Sequence, residues 1–245
     1  MIAGIVYCLD EADIIGQSIE HHLNEGVDHI FAAHGPSSDA TGEILANFAD
    51  AGEVTVLANH DEESRQRYWT DLLAAMAATK GAEWIVPFDA DEFWCSPVPL
   101  GRELASLGPA YTVAVGQWWH HRDWDHRYTV KEDLNKVAFR WNPNARIGFG
   151  NHFVSGAPGA EYAPSTLQVR HLRYRSFEQF AAKVRQRISR LPADERAQGH
   201  GWHITQHDGL TDAELAVVWD GLMAEDAVFD PIPVRLAAPT EGTMR

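Results

Sequence analysis

A run of large apolar side chains that ends in a dense set of carboxylates constrains this chain more than any other stretch. It reads Trp84-Ile85-Val86-Pro87-Phe88-Asp89-Ala90-Asp91-Glu92-Phe93-Trp94. Central strands of parallel sheets are near-continuous apolar runs because both faces are covered, so Trp84 to Phe88 is predicted to be such a strand. Ligands of open α/β sheets gather at the carboxyl ends of the strands, which is where Asp89 and Asp91 emerge. Alternate residues of an extended segment point the same way, so these two carboxylates can converge on one object. Carboxylates that close repel unless a proton or a cation compensates. A divalent ion with oxygen ligands, shared with a phosphate group, meets that need. An acidic triplet after a strand also serves as a solvated turn or a helix cap, but aromatic residues on both sides tie this one into a core.

The first hundred residues alternate strand and helix patterns. Strands are predicted at Ile2 to Leu9, Val27 to Ala33, Glu53 to Leu57 and Trp84 to Phe88. Helices are predicted over the segment carrying Ile14, Ile15, Ile19 and Leu23, over Thr41 to Phe48, and over Glu62 to Thr79. Asp10, with Asp13 three residues later, resembles a capping pattern for the first helix. This order implies an α/β fold with a mostly parallel central sheet and right-handed crossovers. Beyond Trp94 the pattern changes. A short helix is predicted over Leu100 to Leu107, strands over Tyr111 to Trp119, Lys136 to Trp141 and Arg146 to Phe149, and mostly helix from Ser176 onward. A domain over 1–190 with a helical extension over 191–245 packed on it accounts for this organisation.

Composition narrows the class of partner. With 45% hydrophobic residues the chain can bury a sizeable core, and the formal net charge of −15 disfavours nucleic acid, whose phosphate backbone demands a basic surface. A nucleotide needs only a local basic pocket. Cys8 and Cys95 have neither metal-site nor disulfide spacing and read as buried thiols. No stretch approaches the roughly 18 apolar residues of a membrane span, and the amino-terminal run lacks the basic flank of a signal peptide; a cytoplasmic protein is expected.

Polar residues recur where strands should end: Glu11 after the first, Ser37, Ser38 and Asp39 after the second, Asp89 and Asp91 after the fourth. That edge suits a nucleotide. Neither a Walker-type loop nor Gly-x-Gly-x-x-Gly follows the first strand, so phosphates would be held by a metal and by basic side chains. His171 is a plausible nitrogen ligand, and Arg173, Arg175 and Lys183 are plausible diphosphate contacts. The cluster His120, His121, Asp123, Asp125 and His126 fits no regular zinc spacing. With Trp118, Trp119 and Trp124 interleaved, it reads as an acceptor-binding or plain surface loop.

Asp10-Glu11-Ala12-Asp13-Ile14-Ile15, the His21 to His29 segment, Ser37-Ser38-Asp39-Ala40-Thr41, Glu83-Trp84-Ile85 and Asp89-Ala90-Asp91-Glu92-Phe93 together resemble glycosyltransferase family 2-like proteins of the GT-A fold. The branch is the one with an Asp-x-Asp-Glu-Phe motif. Gly150-Asn151-His152 and the segment from His171 to Lys183 are similar to that branch too. The resemblance implies that Asp89 contacts the nucleotide ribose, and that Asp91 and His171 ligate Mn²⁺ or Mg²⁺. It places Glu11 and Asp39 at the base and ribose, with Arg65 or Gln66 nearby, and Lys183 on a phosphate. It departs at Asp10, where relatives carry Asn, and at His34-Gly35, where they carry Asp-Asn.

The implied activity is metal-dependent, inverting transfer of a sugar from a nucleotide-diphosphate donor, UDP-linked by preference, to an acceptor hydroxyl on a glycan, a lipid-linked group or a small molecule. Such a transfer needs a base for the acceptor proton. His152, Asp123, Asp125 and Asp133 qualify, with His152 preferred. Two other readings stand beside it: a sugar nucleotidyltransferase, and a degenerate GT-A domain that binds nucleotide as a scaffold.

Overall fold

The computed structural model describes residues 1–60, 65–131 and 133–233. The amino-terminal half alternates β1 (Ile2–Cys8), α1 (Ile15–Asn24), β2 (His29–His34), α2 (Thr41–Asp50), β3 (Val54–Ala58), α3 (Gln66–Thr79) and β4 (Trp84–Pro87). The middle holds β5 (Glu92–Cys95), α4 (Leu100–Ser106), β6 (Tyr111–His120), β7 (His126–Tyr128), β8 (Asn135–Arg140), β9 (Arg146–Ile147), a 3-10 turn at Phe149–Asn151, β10 (Val154–Ser155), β11 (Ala160–Tyr162) and β12 (Gln168–His171). Then follow α5 (Phe177–Arg190), α6 (Ala193–Ala197), α7 (Trp202–Thr205), α8 (Asp212–Met223) and β13 (Ala227–Phe229).

One mixed sheet runs in the order β3-β2-β1-β4-β8-β6-β12-β5, with β11 beside β6. β1 to β4 are mutually parallel, whereas β8 runs antiparallel to both β4 and β6, and β5 antiparallel to β12. Every residue of β1 is buried, the pattern of a strand covered on both faces. Its alternate side chains feed two cores. Ile2, Val6 and Cys8 pack with Ile15, Ile19 and Leu45 on one face. Ala3, Ile5 and Tyr7 pack with Leu73, Ala74 and Ala77 of α3 on the other. A smaller core joins Phe180, Ala181 and Val184 of α5 to Ile204 and Leu215 of the helices beyond it.

Two contacts fix the frame tightly. Gly101 opens α4 against the bend after α1, where an added Cβ would lie 2.1 Å from the Gly26 carbonyl oxygen. The buried Glu25 carboxylate accepts the Leu100 amide at 2.8 Å in the same place, satisfying a helix-start N–H.

Several boundaries differ from expectation. The predicted cap fails: α1 begins after Ile14 with no side-chain cap. Asp10 instead takes a left-handed backbone, φ 51°, and accepts the Ser38 amide, while Asp13 pairs with Arg175. The predicted helix from Glu62 is found from Gln66, its first residues lying outside those described. Arg146 to Phe149 is strand only through Ile147. The helical carboxyl-terminal part also contributes a strand, β13, which pairs antiparallel with β7; of the expected 191–245 extension, residues 234–245 lie outside the described residues. No helix among the described residues is long and apolar enough to cross a membrane.

Candidate functional site

The chain leaves β1 toward β2 and β3, then returns on the other side of β1 as β4, so the strand order reverses between β1 and β4. Ligands of such sheets bind in the crevice outside the carboxyl ends of the strands at this switch point. Leu9 to Glu11 and Asp89 to Asp91 emerge there together. After β4 the chain turns, with the Glu92 amide donating to the Asp89 carbonyl at 3.0 Å, and re-enters the sheet as β5. β5 pairs with β12 so that Glu92 faces His171. The Leu172 amide donates to the Asp91 carbonyl at 2.9 Å, which fastens the acidic turn to the end of β12.

The acidic residues sort into two ionic groups. In the first, Lys136 of β8, 1% exposed, places Nζ 2.7 Å from Glu92 Oε1 and 3.0 Å from Asp89 Oδ2. It also donates to the Gly150 carbonyl at 2.6 Å. Glu92 is fully buried, accepts Trp118 Nε1 at 2.9 Å and the Asp89 amide at 3.1 Å. Asp89 Oδ1 accepts Gln66 Nε2 at 2.6 Å and Asn151 Nδ2 at 3.3 Å. Burial pushes the Glu92 carboxyl up to about 8, against the Lys136 ammonium and with the help of Asp89.

In the second group, Asp91 Oδ2 meets Lys183 Nζ at 2.6 Å and Arg175 Nη1 at 3.7 Å. Arg175 also donates to Glu11 Oε2 at 2.6 Å, and Lys183 lies 3.6 Å from Glu11 Oε1. Burial opposes ionisation of Asp91, yet Lys183, His171 and Arg175 hold it well below the usual carboxylate range. Burial raises Glu11, offset in part by Lys183.

Asp91 Oδ1 turns the other way, to His171 Nε2 at 3.3 Å. Burial lowers His171 well below the usual histidine range, against Asp91, which keeps the ring neutral and able to ligate. Adjacent ligands of an octahedral ion, each about 2.1 Å from it, stand about 3 Å apart. The 3.3 Å contact is a hydrogen bond here, and it also holds Oδ1 and Nε2 about as far apart as neighbouring ligands of a small divalent ion. Among the described residues no group of three or more His, Cys, Asp or Glu is arranged for a metal, so this donor pair would share its ion with a ligand.

A cavity of about 210 Å³ lies over these groups, lined by Glu11, Asp89, Asp91, His152, His171, Arg173 and Lys183. Gln66, Lys136 and Trp118 line it as well, and the helical part closes one side with Gln186 and Ile204. Among the described residues, two non-glycine positions have left-handed backbone, Asp10 and Asn151, and each sits between residues of this lining. Backbone in that region is costly for a side-chain-bearing residue and persists where the surroundings enforce it.

Two expected contacts are placed elsewhere. Asp39 does not line the cavity; its Oδ1 accepts the Thr41 hydroxyl at 2.5 Å, and that hydroxyl oxygen accepts the Glu11 amide at 2.9 Å. It braces the Glu11 loop. Arg65 also lies outside the lining and reaches Asp194 of α6 at 4.0 Å, leaving Gln66 as the residue of that pair in the cavity. Asp123 and Asp125 are occupied on a surface loop, where Asp123 Oδ1 bonds His126 Nδ1 at 2.8 Å and the Asp125 amide at 2.9 Å; Asp133 is exposed.

His152 is built differently. Its Nδ1 is 2.8 Å from the Asn135 carbonyl, which can only accept, so the proton sits on Nδ1 and Nε2 keeps its lone pair. Burial, followed by the Lys136 charge, brings its pKa down to about 4. Trp118 touches His152 at 4.8 Å, His120 at 4.3 Å and His171 at 5.1 Å between ring centres. Sequence reasoning passed over Lys136, and it grouped Trp118 and His120 with an acceptor-binding or surface loop, whereas both lie on β6 beside His171. A charged residue at the head of the apolar run Val137-Ala138-Phe139 was the available signal for Lys136.

No family profile and no curated protein matches the sequence. Solved structures do match in fold. S. aureus TarS 1–349 in complex with UDP-GlcNAc aligns over 86% of this chain and 74% of its own, at 8% identity and a TM-score of 0.53. The same protein with UDP aligns over 87% and 73%, at 9% identity and a TM-score of 0.50. At such identity the likeness is one of architecture. With its mixed sheet, flanking helices and carboxylates at the β1/β4 switch point, the chain has the fold of the GT-A glycosyltransferases.

Proposed function

We propose that this chain is a metal-dependent glycosyltransferase that moves a sugar from a nucleotide-diphosphate donor, UDP-linked by preference, to an acceptor hydroxyl with inversion. The observation that carries the reading is the division of Asp91. One carboxylate oxygen pairs with a neutral imidazole at an ion-binding separation, and the other meets a lysine at the mouth of a cavity. Structural kinship with TarS, solved with UDP-GlcNAc, supports the donor class.

In this reading Asp91 and His171 would hold Mn²⁺ or Mg²⁺, which would supply positive charge to neutralise a departing diphosphate. Lys183 and Arg173 take the diphosphate oxygens through charge-assisted hydrogen bonds. Glu11 and Asp89 meet the ribose side, with Asp39 acting through the Glu11 loop. The acceptor hydroxyl gives its proton to His152 Nε2 as its oxygen bonds the anomeric carbon and the anomeric carbon–diphosphate bond breaks. General-base help of this kind is worth about 10²–10⁴-fold. A cytoplasmic setting belongs to the reading, Cys8 and Cys95 being buried thiols, as suits a reducing compartment.

The test is thermal denaturation with nucleotide diphosphates, each with and without Mn²⁺. UDP with Mn²⁺ should raise the midpoint, and D91A should abolish the rise. No stabilisation by any nucleotide with any divalent ion would overturn the proposal. Release of pyrophosphate from a nucleoside triphosphate and a sugar phosphate would favour nucleotidyl transfer instead.

A further inference from the structure

His120 and His171 lie at the ends of neighbouring parallel strands and face each other in register. Their Nδ1 atoms are 2.9 Å apart, and each residue is only 8% exposed. A contact that short between ring nitrogens requires one ring to donate and the other to accept. At its far edge His171 Nε2 stands 3.3 Å from Asp91 Oδ1, a carboxylate oxygen that can only accept. An ion bound between them would set the direction, because a ring that gives Nε2 to an ion must carry its proton on Nδ1. Metal-bound histidines nearly always donate that proton to a fixed acceptor, which sets both tautomer and ring orientation. The structure supplies a histidine nitrogen there. Trp118 holds both rings in place, stacked on His171 within 15° of parallel and edge-on to His120 at 4.3 Å.

We propose that His120 is the positioning residue of the metal centre. Its Nδ1 accepts the Nδ1 proton of His171 and so presents the His171 Nε2 lone pair beside Asp91 Oδ1. The proposal rests on the metal reading above and adds to it a residue that touches neither ion nor donor.

The experiment titrates the full chain with Mn²⁺ in the presence of saturating UDP, against UDP without protein, following free Mn²⁺ by electron paramagnetic resonance, in wild type, H120F and H120Q. Thermal midpoints check the fold. Phe keeps the ring against Trp118 but accepts no hydrogen bond, whereas Gln loses the ring and keeps an accepting oxygen. H120F should weaken Mn²⁺ binding about 10–100-fold, with H120Q within a few-fold of wild type. A space-filling role gives the opposite order, and wild-type affinity in H120F overturns this proposal alone. Absence of Mn²⁺ binding in the wild type overturns the metal reading and this proposal together. A second measurement needs no variant: imidazole nitrogen shifts of the Mg²⁺-loaded wild type should place the His171 proton on Nδ1, and a proton on Nε2 would overturn the assignment.

Discussion

Lys136 Nζ lies 2.7 Å from Glu92 Oε1, with the lysine side chain 1% exposed and the glutamate fully covered. The same ammonium reaches Asp89 at 3.0 Å, so one buried cation serves two carboxylates of the acidic turn. Breaking a buried pair by removing one partner leaves the other group without compensation. With Glu92 already pushed up to about 8 beside the ammonium, loss of Lys136 leaves Glu92 to take up a proton while Asp89 loses its counter-charge. K136M should therefore destabilise the fold by less than the roughly 3–5 kcal/mol of a stranded buried charge, read as a drop in the urea or guanidinium midpoint. Adding E92L to K136M should recover part of that loss, because an apolar pair removes the buried carboxyl left without its partner.

His152 sets the acid limit of the proposed reaction. With its pKa down to about 4, the free imidazole stays able to accept a proton well below the ordinary histidine range. The acid limb of kcat/KM is expected to bend near pH 4, not near 6.5. H152A should lower kcat about 10²–10⁴-fold with little change in donor binding, which steady-state kinetics and a nucleotide titration separate.

Buried histidines also make the fold acid-sensitive. Burial, with Arg170 beside it, brings His121 down to about 3, and burial brings His152 to about 4, both from an ordinary 6.5. A folded pKa below the unfolded one means that the unfolded chain binds more protons between the two values. The stability these groups contribute is full above pH 6.5 and is lost as pH falls toward 4 and 3. Denaturant midpoints should decline steadily across that window, and H121F should shallow the decline.

Gly101 admits no side chain. A Cβ there would stand 2.1 Å from the Gly26 carbonyl oxygen, which is backbone and cannot swing aside. G101A is expected to cost at least the ~1–3 kcal/mol typical of overpacking, visible as a lowered thermal midpoint. G52A tests a different constraint: it meets no atom within 4 Å but has a φ of +78°, so its loss should be confined to backbone strain, of order 1–3 kcal/mol.

What was legible in the chain follows from which forces act locally. β1, β2 and β4 announced themselves because strands covered on both faces are uninterrupted apolar runs. The convergence of Glu11, Asp89, Asp91 and His171 could be read because each closes such a run at the same edge. The cap at Asp10 and Asp13 could not. Those carboxylates found Ser38 and Arg175 through tertiary contacts that outbid a local cap. Lys136 was invisible for the same reason, its partner Asp89 being 47 positions away. Asp39 was correctly sited after β2, but Thr41, two residues on, turned its carboxylate inward to the loop. β13 reads weakly because only three residues pair with β7.

The Arg175–Glu11 bond joins residues 164 positions apart, and the Lys183–Asp91 bond spans 92. On the ribosome, therefore, the carboxylates of this centre are made early and their counter-cations late. A fragment that stops before residue 175 therefore carries both carboxylates of this centre and neither Arg175 nor Lys183, the cations that compensate them in the folded chain.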